Sequence, residues 1–318
     1  MTGHRAASDR PEAGQGRGSE GGSESGREAG FVLLSVLAVL GVVSAVLVTA
    51  ILQGRASAAL TGARAEVARL QGMADGIARL VAYDLAVGRT YRLAGLALPE
   101  DGSAVRCRLD AARTAILSLQ DQGRLIDLNG TPRADLEEAF RLLGVPDRTA
   151  LALAAEIVDF RDADDVPEPG GGAELPQYRA LGLARGPRNA PFVSPDEIAR
   201  LPSMTPEAAA ILGPVLTVHN RGGRFDLGAL IRQVRPAAAT ALPDASGPVP
   251  SPRQHFRISV VVADRRARAG RSAVFGLGGT RSGTDVIDWL PTVAPDPGAA
   301  ADHLACPAIA AALGTGPP

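Results

Sequence analysis

The residues with the clearest chemical potential are a run of carboxylates. Asp159-Phe160-Arg161-Asp162-Ala163-Asp164-Asp165 leads into a Pro/Gly stretch and then Gly172-Ala173-Glu174. Closely spaced carboxylates on a loop offer the hard oxygen ligands that calcium takes. The spacing is not that of an EF-hand, because no Gly follows at the sixth position with a Glu at the twelfth. On spacing alone two readings stay open: a cation site, or a solvated acidic loop whose charge Arg161 or Arg179 balances. Other chemistry is thin. His4, His219, His255 and His303 form no ligand-spaced or triad-like pattern. Asp147, Glu156 and Asp159 could be drawn as an acid pair, but a solvated helix face accounts for them better. Gly276-Leu277-Gly278-Gly279 follows a strand pattern, yet no helix pattern opens after it, so a nucleotide cradle is not indicated. Cys107 and Cys306 are far apart and not in a CxxC arrangement, which supports neither a zinc site nor a redox dithiol. Whether they pair is open, since pairing needs an oxidising compartment and close Cα atoms. Nothing here points to an enzyme.

The elements that must position the acidic loop start with composition. A chain of 318 residues that is 46% apolar can build a core, but with 3% aromatic residues Leu, Val, Ile and Ala must fill it. The net charge of −1 leaves no basic excess to neutralise phosphates, which argues against general nucleic-acid binding. Residues 1–29 are rich in Gly, Ser, Glu and Arg and cannot bury enough surface to fold. From Phe31 to Leu52 the chain reads FVLLSVLAVLGVVSAVLVTAIL, uncharged and long enough to cross a hydrocarbon core as a helix. A secretory signal would place its small residue after a shorter apolar core. Here Gly30 precedes the run, behind the charged Ser25-Gly26-Arg27-Glu28-Ala29. The alternative is an ordinary single-pass anchor with a disordered cytoplasmic tail. Leu60, Ala63, Val67, Leu70, Met73, Ile77, Leu80 and Val81 then continue at roughly helical spacing, predicting one long helix.

The polarity of this terminus resembles prepilins and pseudopilins. That resemblance implies cleavage between Gly30 and Phe31 by a prepilin peptidase, with Phe31 the N-methylated mature terminus. The leader is long for such proteins, which leaves the true start codon open. Most pilins carry Glu at mature position five, where this chain has Ser35. A buried carboxylate without a partner in the membrane is costly. The resemblance therefore makes Ser35 the mark of a subunit with no neighbour above it.

In the body, Val105–Leu109, Thr114–Leu119 and Arg124–Leu128 read as strands, the last two joined as a hairpin through Gln120-Asp121-Gln122-Gly123. Phe256–Val262, Ser272–Leu277 and Asp285–Leu290 read as a second strand group. Between the groups lies a mainly helical region with a weak internal repeat: Leu136–Pro146 aligns with Pro195–Thr205, each followed by a second helix, over Thr149–Phe160 and Pro206–Leu216. The repeat looks like a helix-hairpin-helix. Ser203 and Thr205 replace the glycines that would offer N–H groups to a phosphate, so packing explains it better than DNA.

Several motifs in order then resemble one family, the minor pseudopilin K of type II secretion. They are Ile126-Asp127-Leu128-Asn129, the Asp159–Asp164 block, Gly172-Ala173-Glu174 with Tyr178, Asn189-Ala190-Pro191-Phe192 with Ser194 and Glu197, Leu201–Met204 and Leu216–Val218. The likeness covers roughly residues 26–235. It departs at Phe160, where Trp is usual, and at Gly130, where Thr is usual. The family implies an α+β fold: a pilin-like long N-terminal helix on an antiparallel sheet, with a large all-helical domain of two helix-hairpin-like, SAM-like repeats inserted between strands. The implied boundaries are a removed leader over 1–30, a transmembrane helix over 31–53 and the pilin-like helix and first strands over 54–128. The inserted domain follows over 129–235, a linker over 236–252, C-terminal strands over 253–291 and a Pro/Gly/Ala tail over 292–318. The resemblance also implies calcium, with Asp162, Asp164 and Glu174 matching best and Asp159 and Asp165 less well. It implies a place at the pseudopilus tip beside I- and J-type minor pseudopilins, single-pass in the bacterial inner membrane with the body in the periplasm. Other readings are a membrane-anchored hairpin module for DNA uptake, or a minor pilin of another pilus.

Overall fold

The computed structural model describes residues 25–93, 95–239, 249–277, 284–290 and 301–314. The chain forms two units, Met1–Arg64 and Ala65–Pro318. Most of the expected leader therefore lies outside the described residues, as do residues 240–248 of the expected linker. Helix α1 spans Ser25–Tyr91. In the first unit its Phe31–Leu52 side chains are exposed throughout, as suits a helix whose solvent is lipid. This apolar helix near the N-terminus fits a single-pass membrane anchor.

In the second unit the rest of α1 turns amphipathic. Leu70, Ala74, Ile77, Ala78, Val81 and Ala82 recur at helical spacing and are all buried, giving one apolar stripe for a sheet to cover. That sheet holds six strands in the order β7-β6-β5-β2-β1-β8. Strands β1 (Asp101–Arg108) and β2 (Thr114–Asp121) are an antiparallel pair. The chain then leaves the sheet for a long excursion. A 3-10 turn at Gln122–Arg124 leads to β3 (Ile126–Asp127), α2 (Arg133–Leu143), α3 (Asp147–Arg161) and α4 (Leu175–Ala180). A 3-10 turn at Pro195–Arg200, α5 (Pro206–Leu212), β4 (Leu216–Thr217), α6 (Leu227–Val234) and the short α7 (Pro236–Ala239) complete it. The chain returns as β5 (His255–Ala263), which pairs with β2 along its whole length, then β6 (Arg268–Leu277) and β7 (Thr284–Leu290). Phe256, Ile258, Val260 and Val262 alternate onto the α1 face with Leu117 and Leu119. Asp75 on α1 accepts from Arg271 on β6 at 2.5 and 3.0 Å.

The excursion has its own core of Leu136, Phe140, Leu153, Ile157, Phe160, Leu216 and Ile231. Within it β3 and β4 pair in parallel as Ile126↔Leu216 and Asp127↔Thr217. β2 and β5 stay neighbours although more than a hundred residues depart between them.

Two expectations change and one open question closes. The hairpin from β2 into Arg124–Leu128 does not form: Asp121 accepts the Gly123 N–H at 2.9 Å and starts the 3-10 turn. Leu125, Ile126 and Leu128 then pack in the helical core rather than on the sheet. The partner of β2 on that side is β5. The expected C-terminal tail contains β8 (Ala301–Asp302), parallel to β1, and α8 (Cys306–Ala312), whose Ile309 is buried in the sheet core. Cys107 on β1 and Cys306 form a disulfide, with Cα atoms 5.0 Å apart, so this stretch is stapled to the sheet.

Candidate metal centre

The acidic loop is built by the end of α3 and its return. Asp159, in the last turn of α3, faces inward and is fully buried. Its Oδ1 accepts from the Glu168 N–H at 2.9 Å, which folds the loop back over the helix end. Gly172 then passes so close that a Cβ there would lie 2.5 Å from the Glu168 nitrogen and 2.6 Å from its carbonyl oxygen, and would also meet the Asp159 carboxylate. Only glycine fits. Two residues on, Glu174 precedes α4, its N–H held by the Gln177 Oε1 at 3.0 Å. The outcome is that Asp162, Asp164 and Glu174 each offer an oxygen, all within 4.8 Å of one another.

Three carboxylates this close repel unless something positive lies between them. Glu174 is only 1% exposed. Both its oxygens, Asp159 Oδ2 and Asp162 Oδ1 are buried without a hydrogen-bond partner. Burial, then the charges of Asp159, Asp162, Asp165 and Asp164, push the Glu174 carboxyl up to about 7. Asp162 and Asp159 are raised too, first by burial and then by neighbouring carboxylates. The balancing arginines do not arrive. Arg161 donates to the carbonyls of Leu128 and Thr131 at 2.6 and 2.8 Å, Arg133 pairs with Glu168, and Arg179 is exposed. Orphaned, buried hard oxygens without a counter-charge suit a divalent cation of calcium's class.

The other expected ligands are placed differently. Asp159 abuts the trio but spends one oxygen on Glu168. Asp165 is exposed and accepts from Asn189 Nδ2 at 3.2 Å, outside the trio. Asn189 was missed as a candidate donor. It bonds the Asp164 carbonyl at 2.9 Å and holds a buried, unpartnered Oδ1. Nothing in its spacing marks it, because it arrives from a separate loop. Glu156 and Asp159 are not a solvated face, being 2% and 0% exposed. Glu156 accepts from the Ser203 N–H and hydroxyl, tying α3 to the second hairpin. His219 and His255, unremarkable by spacing, have ring centres 5.6 Å apart. Gly30 and Phe31 both lie inside α1, and the Ser35 hydroxyl donates to the Val32 carbonyl at 2.8 Å.

The motif residues around the centre prove to be its frame. Asp127 accepts the N–H groups of Asn129, Gly130 and Asn220, each at 2.8 Å. Asn129 exchanges two hydrogen bonds with the Phe192 backbone, and Phe192 stacks on Phe160 with ring centres 4.1 Å apart. Burial comes first in raising Asp127, against those N–H groups.

Residues 118–221, which include this whole frame, match the model of the family described as type II secretion system (T2SS), protein K. No curated protein sequence matches the chain. Among solved structures, one chain of the GspK-GspI-GspJ complex from the enterotoxigenic Escherichia coli type 2 secretion system is similar, at 15% identity and a TM-score of 0.50. The likeness covers 76% of this chain and 100% of that one, and its weight is on the fold. The two likenesses agree: residues 118–221, which hold the acidic cluster, are similar to type II secretion system protein K, and the long helix on a mainly antiparallel sheet is similar in fold to the solved chain.

Proposed function

We propose that this minor pseudopilin of the type II secretion pseudopilus occupies the tip of the fibre, where it helps initiate or cap assembly. The match of residues 118–221 to protein K carries the reading. Ser35 supports the tip position, because its hydroxyl is satisfied by its own helix and asks nothing of a subunit above. The similar solved chain belongs to a complex of GspK with GspI and GspJ. On that likeness the partners are I- and J-type minor pseudopilins. The apolar helix anchors the protein in the inner membrane with the body in the periplasm, where an oxidising environment would sustain the Cys107–Cys306 bridge. A prepilin peptidase cutting between Gly30 and Phe31 releases the mature protein.

Within the body, the two helix-hairpin units act as a packing insertion that carries a calcium ion. Asp162, Asp164 and Glu174 hold it, and Asp159 and Asn189 supply buried oxygens beside it. The ion neutralises carboxylates that otherwise repel and fixes the α3–α4 loop. The tip placement is tested by immunogold labelling of assembled fibres against this chain. Label at one end of each fibre supports it, and label along the shaft contradicts it.

A further inference from the structure

Beside the cation cluster, a cleft of about 1220 Å³ opens between α4 and the Pro195–Arg200 turn. We propose that this cleft binds an extended, carboxylate-bearing peptide segment of a partner protein, held by Arg185, Arg188 and Arg200. The three guanidiniums line the cleft, and their charge is under-matched. Arg188 and Arg200 share a single carboxylate, Glu197, at 3.4 and 3.7 Å. Arg185 is exposed and has no hydrogen-bond or ion-pair partner among the described residues. Guanidinium forks suit bidentate carboxylates. At the rim, Leu181 and Leu183 are 62% and 41% exposed, ready to cover apolar side chains flanking the acid. In the wall Tyr178 is 2% exposed and its hydroxyl has no partner, a donor without an acceptor. The volume exceeds that of an ordinary small-molecule site. Asp165 and Glu174 also line the cleft. For those two carboxylates alone the proposal rests on the calcium reading, since a bound ion offsets them.

The test uses the full chain in detergent micelles with millimolar calcium. The probe is a fluorescein-labelled peptide alternating leucine and aspartate, and its leucine–asparagine isostere is the control. Polarisation should show the aspartate peptide binding at least about tenfold more tightly than the isostere. Arg185→Glu should lower that affinity at least about tenfold, and Arg185→Lys by less, with melting unchanged because exposed Arg185 has no hydrogen bond or ion pair to lose among the described residues. Equal binding of both peptides, no binding of either, or wild-type affinity in Arg185→Glu overturns the proposal. A direct calcium titration separates the two readings. Peptide discrimination without calcium uptake removes the ion and keeps the cleft, whereas calcium uptake without discrimination does the reverse.

Discussion

On the proposed calcium reading, removing the cation should destabilise the protein by an amount that depends on pH. Three carboxylates within 4.8 Å of one another cost about 3 kcal/mol per like-charged pair at an effective dielectric near 20, less where Asp164 meets water. The metal-free protein relieves part of this by keeping Glu174 protonated, its carboxyl having been pushed up to about 7. Because that value is raised above the unfolded one, Glu174's contribution to metal-free stability is fully present below the unfolded value. It is lost as pH rises through about 7. A bound calcium ion takes the proton's place, so its stabilisation appears as pH rises through the same window and fades below it. At free calcium a hundredfold above Kd the gain is about 2.7 kcal/mol, which moves the melting point of a unit this size by roughly 5–10 °C. Differential scanning fluorimetry at pH 8 and pH 5.5, with calcium or a chelator, reads this directly. The expected outcome is a large calcium-dependent shift at pH 8 and a small one at pH 5.5, with Glu174→Gln reducing the first. No shift at pH 8, or equal shifts at both, refutes the reasoning.

Other perturbations follow from named contacts. Gly172→Ala forces a Cβ into the Glu168 backbone, so calcium titration should show weakened binding and the melt should fall even with chelator present. Asp127→Ala strands three backbone N–H groups and should cost about 3 kcal/mol or more by denaturant unfolding. The Cys107–Cys306 bridge closes a separation of 199 residues. By chain entropy that contributes about 5 kcal/mol, and bridges typically deliver 2–4. Reductant, or the double serine variant, should lower the denaturant midpoint accordingly, and an unchanged midpoint would argue that the α8 segment docks without it.

The parts of this structure legible in the sequence are those with a local period. The apolar run, the α1 stripe from Leu70 to Ala82 and the alternation of β5 each declare a face by repetition. The carboxylates of the α3–α4 loop were legible too, as closely spaced acids, but their meeting depends on Gly172 and on the Glu168 N–H turning the chain. The false hairpin after β2 shows the limit of short apolar runs. Leu125, Ile126 and Leu128 are as buried as strand residues would be, but in a different core, and nothing local distinguishes the two. The α8 segment was hidden by composition, because Pro, Gly and Ala around Ile309 read as tail until Cys306 is seen against β1. Glu156 was read as part of a solvated face and Asn189 only as part of a motif, because their partners, Ser203 and the Asp164 loop, lie 47 and 25 residues away. Phe160 departs from the family's usual aromatic and still stacks on Phe192, so the change alters packing rather than ligands.

The central claim, that this chain works as a K-type minor pseudopilin, is tested most directly by association. The body, residues 65–318, is mixed with the I- and J-type minor pseudopilin bodies of the same secretion system and resolved by size-exclusion chromatography with light scattering. The account predicts a single complex containing one copy of each. Separate elution of all three at micromolar concentration, with the body folded and calcium in the buffer, would contradict it.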